Sequence, residues 1–208
     1  MTKILKKLNT ALRDPKWTLM YLYNILRRKL FVRRVVKNGQ VFYKYKGELY
    51  PEHLFKKHAS AYIEKKALEF CKGRGLDIGA GYWPIAGAIP IEDNPDLNAY
   101  KLDKFQDGSL DFVFSSHCVE HLVDWQTAIK LWIKKLKPGG ILFTYVPHIS
   151  MVMWRPGEVN GIQHPWSPTY EVLNKFMEDN GMEVIDFEAG HDEYWSFYTV
   201  GRKKLNNG

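Results

Sequence analysis

The sequence predicts an α/β fold, a mostly parallel sheet with helices on both faces, and three observations carry that prediction. From Gly75 onward, short apolar runs alternate with longer stretches of helical periodicity, a pattern that asks for parallel strands joined by crossovers. The first run, LDIG, leads straight into a glycine turn, and the second, AIPIED, ends in two acids. In open α/β sheets, ligands bind past strand ends of this kind. The chain of 208 residues is 45% hydrophobic and 25% charged, enough to bury a core.

The net charge of +7 is placed unevenly. Before residue 47 stand Lys3, Lys6, Lys7, Arg13, Lys16, Arg27, Arg28, Lys29, Arg33, Arg34, Lys37, Lys44 and Lys46, against the single acid Asp14. This segment should meet something anionic, such as lipid head groups, phosphates or nucleic acid. WTLMYLYNILRRKLFVRRVV reads as a basic amphipathic helix with Pro15 in its first turn. It would either lie on a membrane surface or dock the substrate, or else pack on the core with its arginines solvated. NGQVFYKYKGELY suggests a small β-hairpin. Residues 1–58 are thus expected to form an appendage, 59–202 the core and 203–208 a frayed tail. No apolar run approaches the roughly twenty residues of a membrane span, and no leader segment is evident. Cys71 and Cys118 form no disulfide framework or metal spacing. A cytoplasmic protein, peripheral at the inner membrane face, is expected.

Along the core, Ala59 to Phe70 has helical spacing and Gly73 can stop that helix. LDIG, AIPIE, DFVFSS, ILFTYVP, MEVIDFEAG and WSFYTVGRK are the strand candidates. DWQTAIKLWIKKLKPGG is a helix expected to end at Pro138-Gly139-Gly140, and SPTYEVLNKFMEDNG is another, with Ser167 as its cap and Gly181 as its stop.

The glycine turn lacks the third glycine of a dinucleotide cradle, since Pro84 stands there. A carboxylate at the end of the second strand, Glu92 or Asp93, can accept hydrogen bonds from both hydroxyls of a ribose. Together these features ask for a nucleoside.

LDIGAG, the acid after AIPIE, DGSLDFVFSSHCVEHL and LKPGGILFTYVPH together resemble class I S-adenosylmethionine-dependent methyltransferases. The similarity is to the branch whose fourth strand reads D-x-SFD-x-V-x-SSH-x-LEH, and within it to a subgroup linked to surface-polysaccharide or glycolipid synthesis. The resemblance implies a Rossmann-like, mostly parallel, seven-stranded sheet with an antiparallel last strand. It also implies S-adenosyl-L-methionine as cofactor and S-adenosyl-L-homocysteine as product. Gly79, Ala80 and Gly81 would line the methionine and ribose, and Asp77 would organise the turn and the ammonium. Glu92, with Asp93 beside it, would hold the ribose, Asp103 would meet the adenine amino group, and Ser116 and His117 would approach the methionine. The stretch from Gly81 to Gly87 is short, so the family's first helix must shrink to a turn.

Methyl transfer from a sulfonium needs an aligned nucleophile and a dry site. A hydroxyl acceptor also benefits from a base, and histidine suits that role. His148 and His164 are the candidates. H-x-x-E-H at His117, Glu120 and His121 has metal-like spacing but no third ligand in view, so no metal is expected. The loop VPHISMVMWRPGEVNGIQHPWSP should form an acceptor pocket or lid. The leading function is O-methylation of a small molecule or glycan, with an anionic membrane surface met by residues 1–37. An RNA methyltransferase using the basic arm is the second reading, weakened by the lack of an N/D-P-P-Y/F motif. A non-catalytic cofactor-binding membrane protein is the third. The sequence leaves the acceptor and the oligomeric state open.

Overall fold

A computed structural model describes residues 15–56 and 58–205 of the chain. Part of the basic arm, including Lys3, Lys6, Lys7 and Arg13, and the last three residues of the expected tail therefore lie outside the described residues.

Helix α1, Pro15–Phe31, begins at Pro15 as expected but ends five residues before Val36. The β-branched and basic run that follows is strand β1, Arg33–Lys37. The expected hairpin is accordingly a three-stranded antiparallel meander with β2, Gln40–Tyr45, and β3, Glu48–Pro51. Each connection is a two-residue turn. Asn38 and Gly39 have φ of 50° and 76°, and Lys46 and Gly47 have φ of 47° and 90°. Positive φ at both positions matches the twist of the flanking strands.

The main sheet has the order β5-β4-β6-β7-β9-β8. Its strands are β4 (Gly75–Ile78), β5 (Ala88–Ile91), β6 (Leu110–Ser116), β7 (Leu136–Pro147), β8 (Met182–Phe187) and β9 (Ser196–Lys203). Among the described residues it holds six strands, not the seven that the family resemblance implied. Between β5 and β6 the chain forms an asparagine-rich loop with two isolated bridges, Asn94 to Leu97 and Asn98 to Lys101, and β5 is left at the sheet's edge. β4 pairs in parallel with β5 and β6, and β6 with β7, while β9 alone runs antiparallel to its neighbours β7 and β8.

Both faces of the sheet are covered, and the strand pleat sorts the core accordingly. Val113, Leu142 and Val146 pack with helix α3 (Trp125–Lys135) and helix α4 (Tyr170–Asp179) through Ile129, Trp132, Leu173 and Met177. Phe112, Phe114, Phe143 and Tyr145 pack on the other face with helix α2 (Ser60–Phe70). Tyr45, Tyr50 and Leu54 join that second cluster, so the meander shares the core of the sheet. Helix α3 ends at Lys135, and Pro138-Gly139-Gly140 lies inside β7, at the register shift opposite Leu110 and Phe112. Helix α4 is capped by Thr169 rather than Ser167: the Thr169 hydroxyl accepts from the Val172 amide at 3.4 Å. Ser167 instead lines a small cavity.

The chain steps outward from β4 to β5 and then returns to β6 on the other side of β4. This reversal opens a crevice at the carboxyl ends of β4 and β6, the usual ligand position in such sheets.

Candidate functional site

The crevice is a cleft of about 500 Å³, within the range of small-ligand sites. Its floor is the turn after β4. Asp77 is fully buried, and its Oδ2 accepts from the Ile85 amide at 2.9 Å while Oδ1 has no partner. Burial pushes this carboxyl up to about 7. The expected first helix is indeed a turn, held on its outer side by the Ala86 amide donating to Glu64 at 3.1 Å and by His58 stacked on Trp83. Gly79 has φ of +77°, and a Cβ there would lie 2.7 Å from Cβ of Cys118. Gly81 has φ of +58° with open space around the same position. Gly79, Glu92, Asp93 and His117 line the cleft, and Ala80 is buried beside it in the turn. Asp103 is exposed but does not line the cleft, and Ser116 is buried behind its wall.

The far wall is the asparagine loop. The Asn94 side chain accepts from the Asp96 amide, Asn98 from the Tyr100 amide, and the Asn98 side chain donates to the Asn94 carbonyl. Trp132 of α3 donates its indole N–H to the Ala99 carbonyl at 2.8 Å. Asn98, Ala99, Tyr100, Cys118, Leu122 and Val123 therefore line the cleft, none of them singled out from sequence. The available signal was the N-P-D-L-N string, in which asparagines two residues before an amide build side-chain turns.

Histidines and one acid gather where the cleft meets the long loop. His117 has φ of 50°. Its Nε2 lies 2.9 Å from the Ser196 hydroxyl, and its Nδ1 lies 3.4 Å from Oε1 of Glu120. Burial lowers its pKa to about 3. Glu120 is 1% exposed, and neither of its oxygens has a hydrogen-bond partner. Burial raises its carboxyl to about 8. His164 comes from the loop 43 residues beyond His121, and their rings meet edge to face at 4.5 Å. His164 Nδ1 contacts the Trp154 carbonyl at 2.6 Å. A carbonyl only accepts, so Nδ1 carries the proton and the Nε2 lone pair is bare. Burial, then the nearby His121, lowers the His164 pKa to about 4. His148 is the reverse case, since its Nδ1 accepts from the Ser150 amide at 3.2 Å. Glu120, His121 and His164 each bring one possible ligand atom within 4.8 Å of the others. The H-x-x-E-H string supplies Glu120 and His121 to this group, and tertiary folding brings His164 to them.

The loop is packed down. The Trp166 indole donates to the Val119 carbonyl and the ring stacks on Trp125 at 4.5 Å. Gly161 turns against the backbone, where a Cβ would stand 2.1 Å from the Arg155 oxygen. Beneath the loop, Glu120, His148, Trp154, His164 and Trp166 enclose a cavity of about 10 Å³, room for a single water or ion. The loop is packed onto the body of the domain over this small cavity.

Residues 64–144 match the family model described as a methyltransferase domain. Residues 64–144 of the chain thus carry a methyltransferase domain. Its fold is that of solved methyltransferases. A methyltransferase from Thermotoga maritima is 18% identical, covering 73% of this chain and 99% of its own with a TM-score of 0.52. One from Archaeoglobus fulgidus is 20% identical, with coverages of 73% and 97% and a TM-score of 0.53. A chain from Haloferax volcanii, solved in a complex of the Trm112 methyltransferase activator with a methyltransferase, is 15% identical, with coverages of 72% and 92% and a TM-score of 0.56. No curated protein sequence matches significantly.

The cleft has the chemistry to take a nucleoside cofactor. Glu92 and Asp93 are exposed acceptors at one end, and Ile91, Leu122 and Val123 are apolar walls. His121 lines the cleft while Glu120 and His164 line the adjoining cavity. The methyltransferase's histidine–carboxylate cluster therefore stands on the wall between the two spaces.

Proposed function

We propose that the protein methylates a hydroxyl of a small-molecule or glycan acceptor presented at an anionic membrane surface. The observation that carries this reading is the Glu120, His121 and His164 cluster, set between the cofactor cleft and the loop. Glu92 would hold the ribose of S-adenosylmethionine, Asp93 and Tyr100 would flank it, and Gly79 and His117 would lie beside the methionine. The sulfonium supplies a methyl group for in-line displacement. This chain's part is to align the acceptor, keep water out beneath the loop and take up the hydroxyl proton. Of the two base candidates, His164 is the better placed. Its Nε2 lone pair is bare, whereas the Nδ1 lone pair of His148 is already spent on the Ser150 amide.

Helix α1 supports the membrane part of the reading. Leu19, Leu22, Tyr23, Leu26 and Leu30 recur at i, i+3, i+4, i+7 and i+11, and each is more than half exposed. The apolar stripe therefore faces away from the core, contrary to a helix packed on it. Lys29 is exposed beside the stripe, and Arg33 and Arg34 are exposed just past the helix end, which suits an interfacial helix on anionic lipid, while Arg28 turns over the Phe55 ring. Among the described residues, no helix is long and apolar enough to cross a membrane. Arg27 reaches the other way. It donates to the Gly157 carbonyl at 2.7 Å and lies 4.0 Å from Glu158, which also binds Lys46 and the Tyr45 hydroxyl. The helix is thus tied to the loop over the acceptor side.

Calorimetric titration tests the cofactor end. Glu92→Ala should weaken S-adenosylmethionine binding about 10- to 100-fold, as expected for charge-assisted hydrogen bonds. Unchanged affinity would remove Glu92 from the site. For the surface, Leu22→Glu with Leu26→Glu should cut binding to phosphatidylglycerol vesicles at least about tenfold, since each buried leucine contributes about 1.5–3 kcal/mol. Equal binding by this double variant would end the interfacial role of α1. Radiolabelled methyl transfer to lipid-linked sugars in such vesicles tests the acceptor. Transfer to RNA instead would replace the acceptor class.

A further inference from the structure

We propose that Glu120, His121 and His164 form a site for a divalent transition-metal ion of the zinc class. The three ligand atoms already lie within 4.8 Å of one another. Around a tetrahedral ion with bonds of about 2.0–2.2 Å they would stand roughly 3.3–3.6 Å apart, an adjustment that side-chain rotation supplies.

The second observation is that, among the described residues, both oxygens of Glu120 are buried without a hydrogen-bond partner. His164 and His121 each direct Nδ1 at a backbone carbonyl, Trp154 at 2.6 Å and Gln163 at 3.4 Å, so each keeps Nε2 as a bare lone pair. Metal-binding histidines are usually held in this way, with the second ring N–H on a carbonyl or carboxylate. His117 stands beside the cluster, with Nδ1 3.4 Å from Glu120 Oε1 and Nε2 2.9 Å from the Ser196 hydroxyl. The unpartnered Glu120 carboxylate faces the bare nitrogens of His121 and His164, an arrangement that a cation between them resolves. The adjoining cavity of about 10 Å³ has room for one small particle.

Two imidazoles and one carboxylate suit zinc and its neighbours rather than magnesium or calcium, which prefer all-oxygen sets. Three protein ligands leave a coordination position open. The inference rests on the reading of this cluster as the acceptor-activating end. With the ion bound, His164 would serve as a ligand in place of a base, and the ion would acidify a hydroxyl at the open position, whose proton would pass to a water in the cleft. The hydroxyl oxygen then forms the new O–C bond as the S–C bond breaks, and S-adenosylhomocysteine leaves.

The test is metal content of the purified full chain by mass spectrometry, followed by chelation and titration with Co²⁺ read by visible absorption. Stoichiometric zinc-class metal and the bands of low-coordinate Co²⁺ are expected. Both should be lost in Glu120→Gln and His164→Asn and kept in His53→Asn, an exposed histidine elsewhere. Circular dichroism separates loss of metal from loss of fold in the variants, and the wild-type result needs no such control. A metal-free wild type with no Co²⁺ bands overturns the site, as does binding that depends equally on His53. S-adenosylmethionine calorimetry runs alongside. Cofactor binding without metal would overturn the ion alone and return His164 to the role of base. Metal without cofactor binding would support the ion and sink the proposed function at this cleft.

Discussion

Gly79→Val is expected to lower the folding stability by about 2–5 kcal/mol and to abolish S-adenosylmethionine binding, as the sum of left-handed backbone strain and overpacking. Gly79 sits at φ of +77°, and a new Cβ would stand 2.7 Å from Cβ and 2.8 Å from Sγ of Cys118. The glycine is therefore needed for packing against the chain that follows β6, and not solely to leave room for the cofactor. Gly81→Ala is the contrast. Its φ of +58° carries strain but its surroundings are open, so about 1–2 kcal/mol should be lost. Urea unfolding of both variants with calorimetry checks the pair. A wild-type midpoint for Gly79→Val would show that the turn is not held as described. Cys118→Gly in the Gly79→Val background should recover part of the loss, because the clashing Cβ and Sγ are then gone.

Trp132→Ala should cost about 3–5 kcal/mol through the cavity it leaves in a fully buried site. The Ala99 carbonyl also loses its indole donor, and that residue lines the cleft. Trp132→Phe separates the two effects. It keeps most of the packing and removes the N–H, so stability should fall by about 1–3 kcal/mol. Cofactor affinity should fall with it, because the asparagine loop is no longer pinned. Full affinity in Trp132→Phe would mean that the loop holds its own shape.

The parts of this fold that were legible are those fixed by neighbours in the chain. Asn38-Gly39 announced a turn because both positions need positive φ. The six apolar runs from LDIG to WSFYTVGRK all became strands of one sheet, and the spacing of Trp125, Ile129, Trp132 and Ile133 marked the buried face of α3. The seventh strand was implied by family likeness, not by these residues. Asparagine, proline and aspartate between Asp93 and Ser109 favour side-chain turns over a ladder. Val35 and Val36 were read as the end of a helix, although β-branched residues beside a turn signal suit a strand.

The cleft's floor was legible because a strand, its turn and the next acid are contiguous in sequence. Its far wall was not, since Ala99 is placed by a tryptophan 33 residues away. The pairing of His121 with His164 depends on how a loop folds back, and no local pattern encodes that. Asp103 falls outside the cleft because the loop that replaces the usual strand takes a different path.

The shortened sheet also bears on self-association. Ending at β5 exposes a strand edge to water, and such an edge invites another chain to add itself by backbone pairing. Here the edge is four residues long and carries Pro90, which has no N–H to offer. The row of donors is broken in the middle, too short and too interrupted to template a foreign strand. Losing a strand from this side therefore need not create an aggregation hazard, and copies of the chain that associate should do so through some other surface.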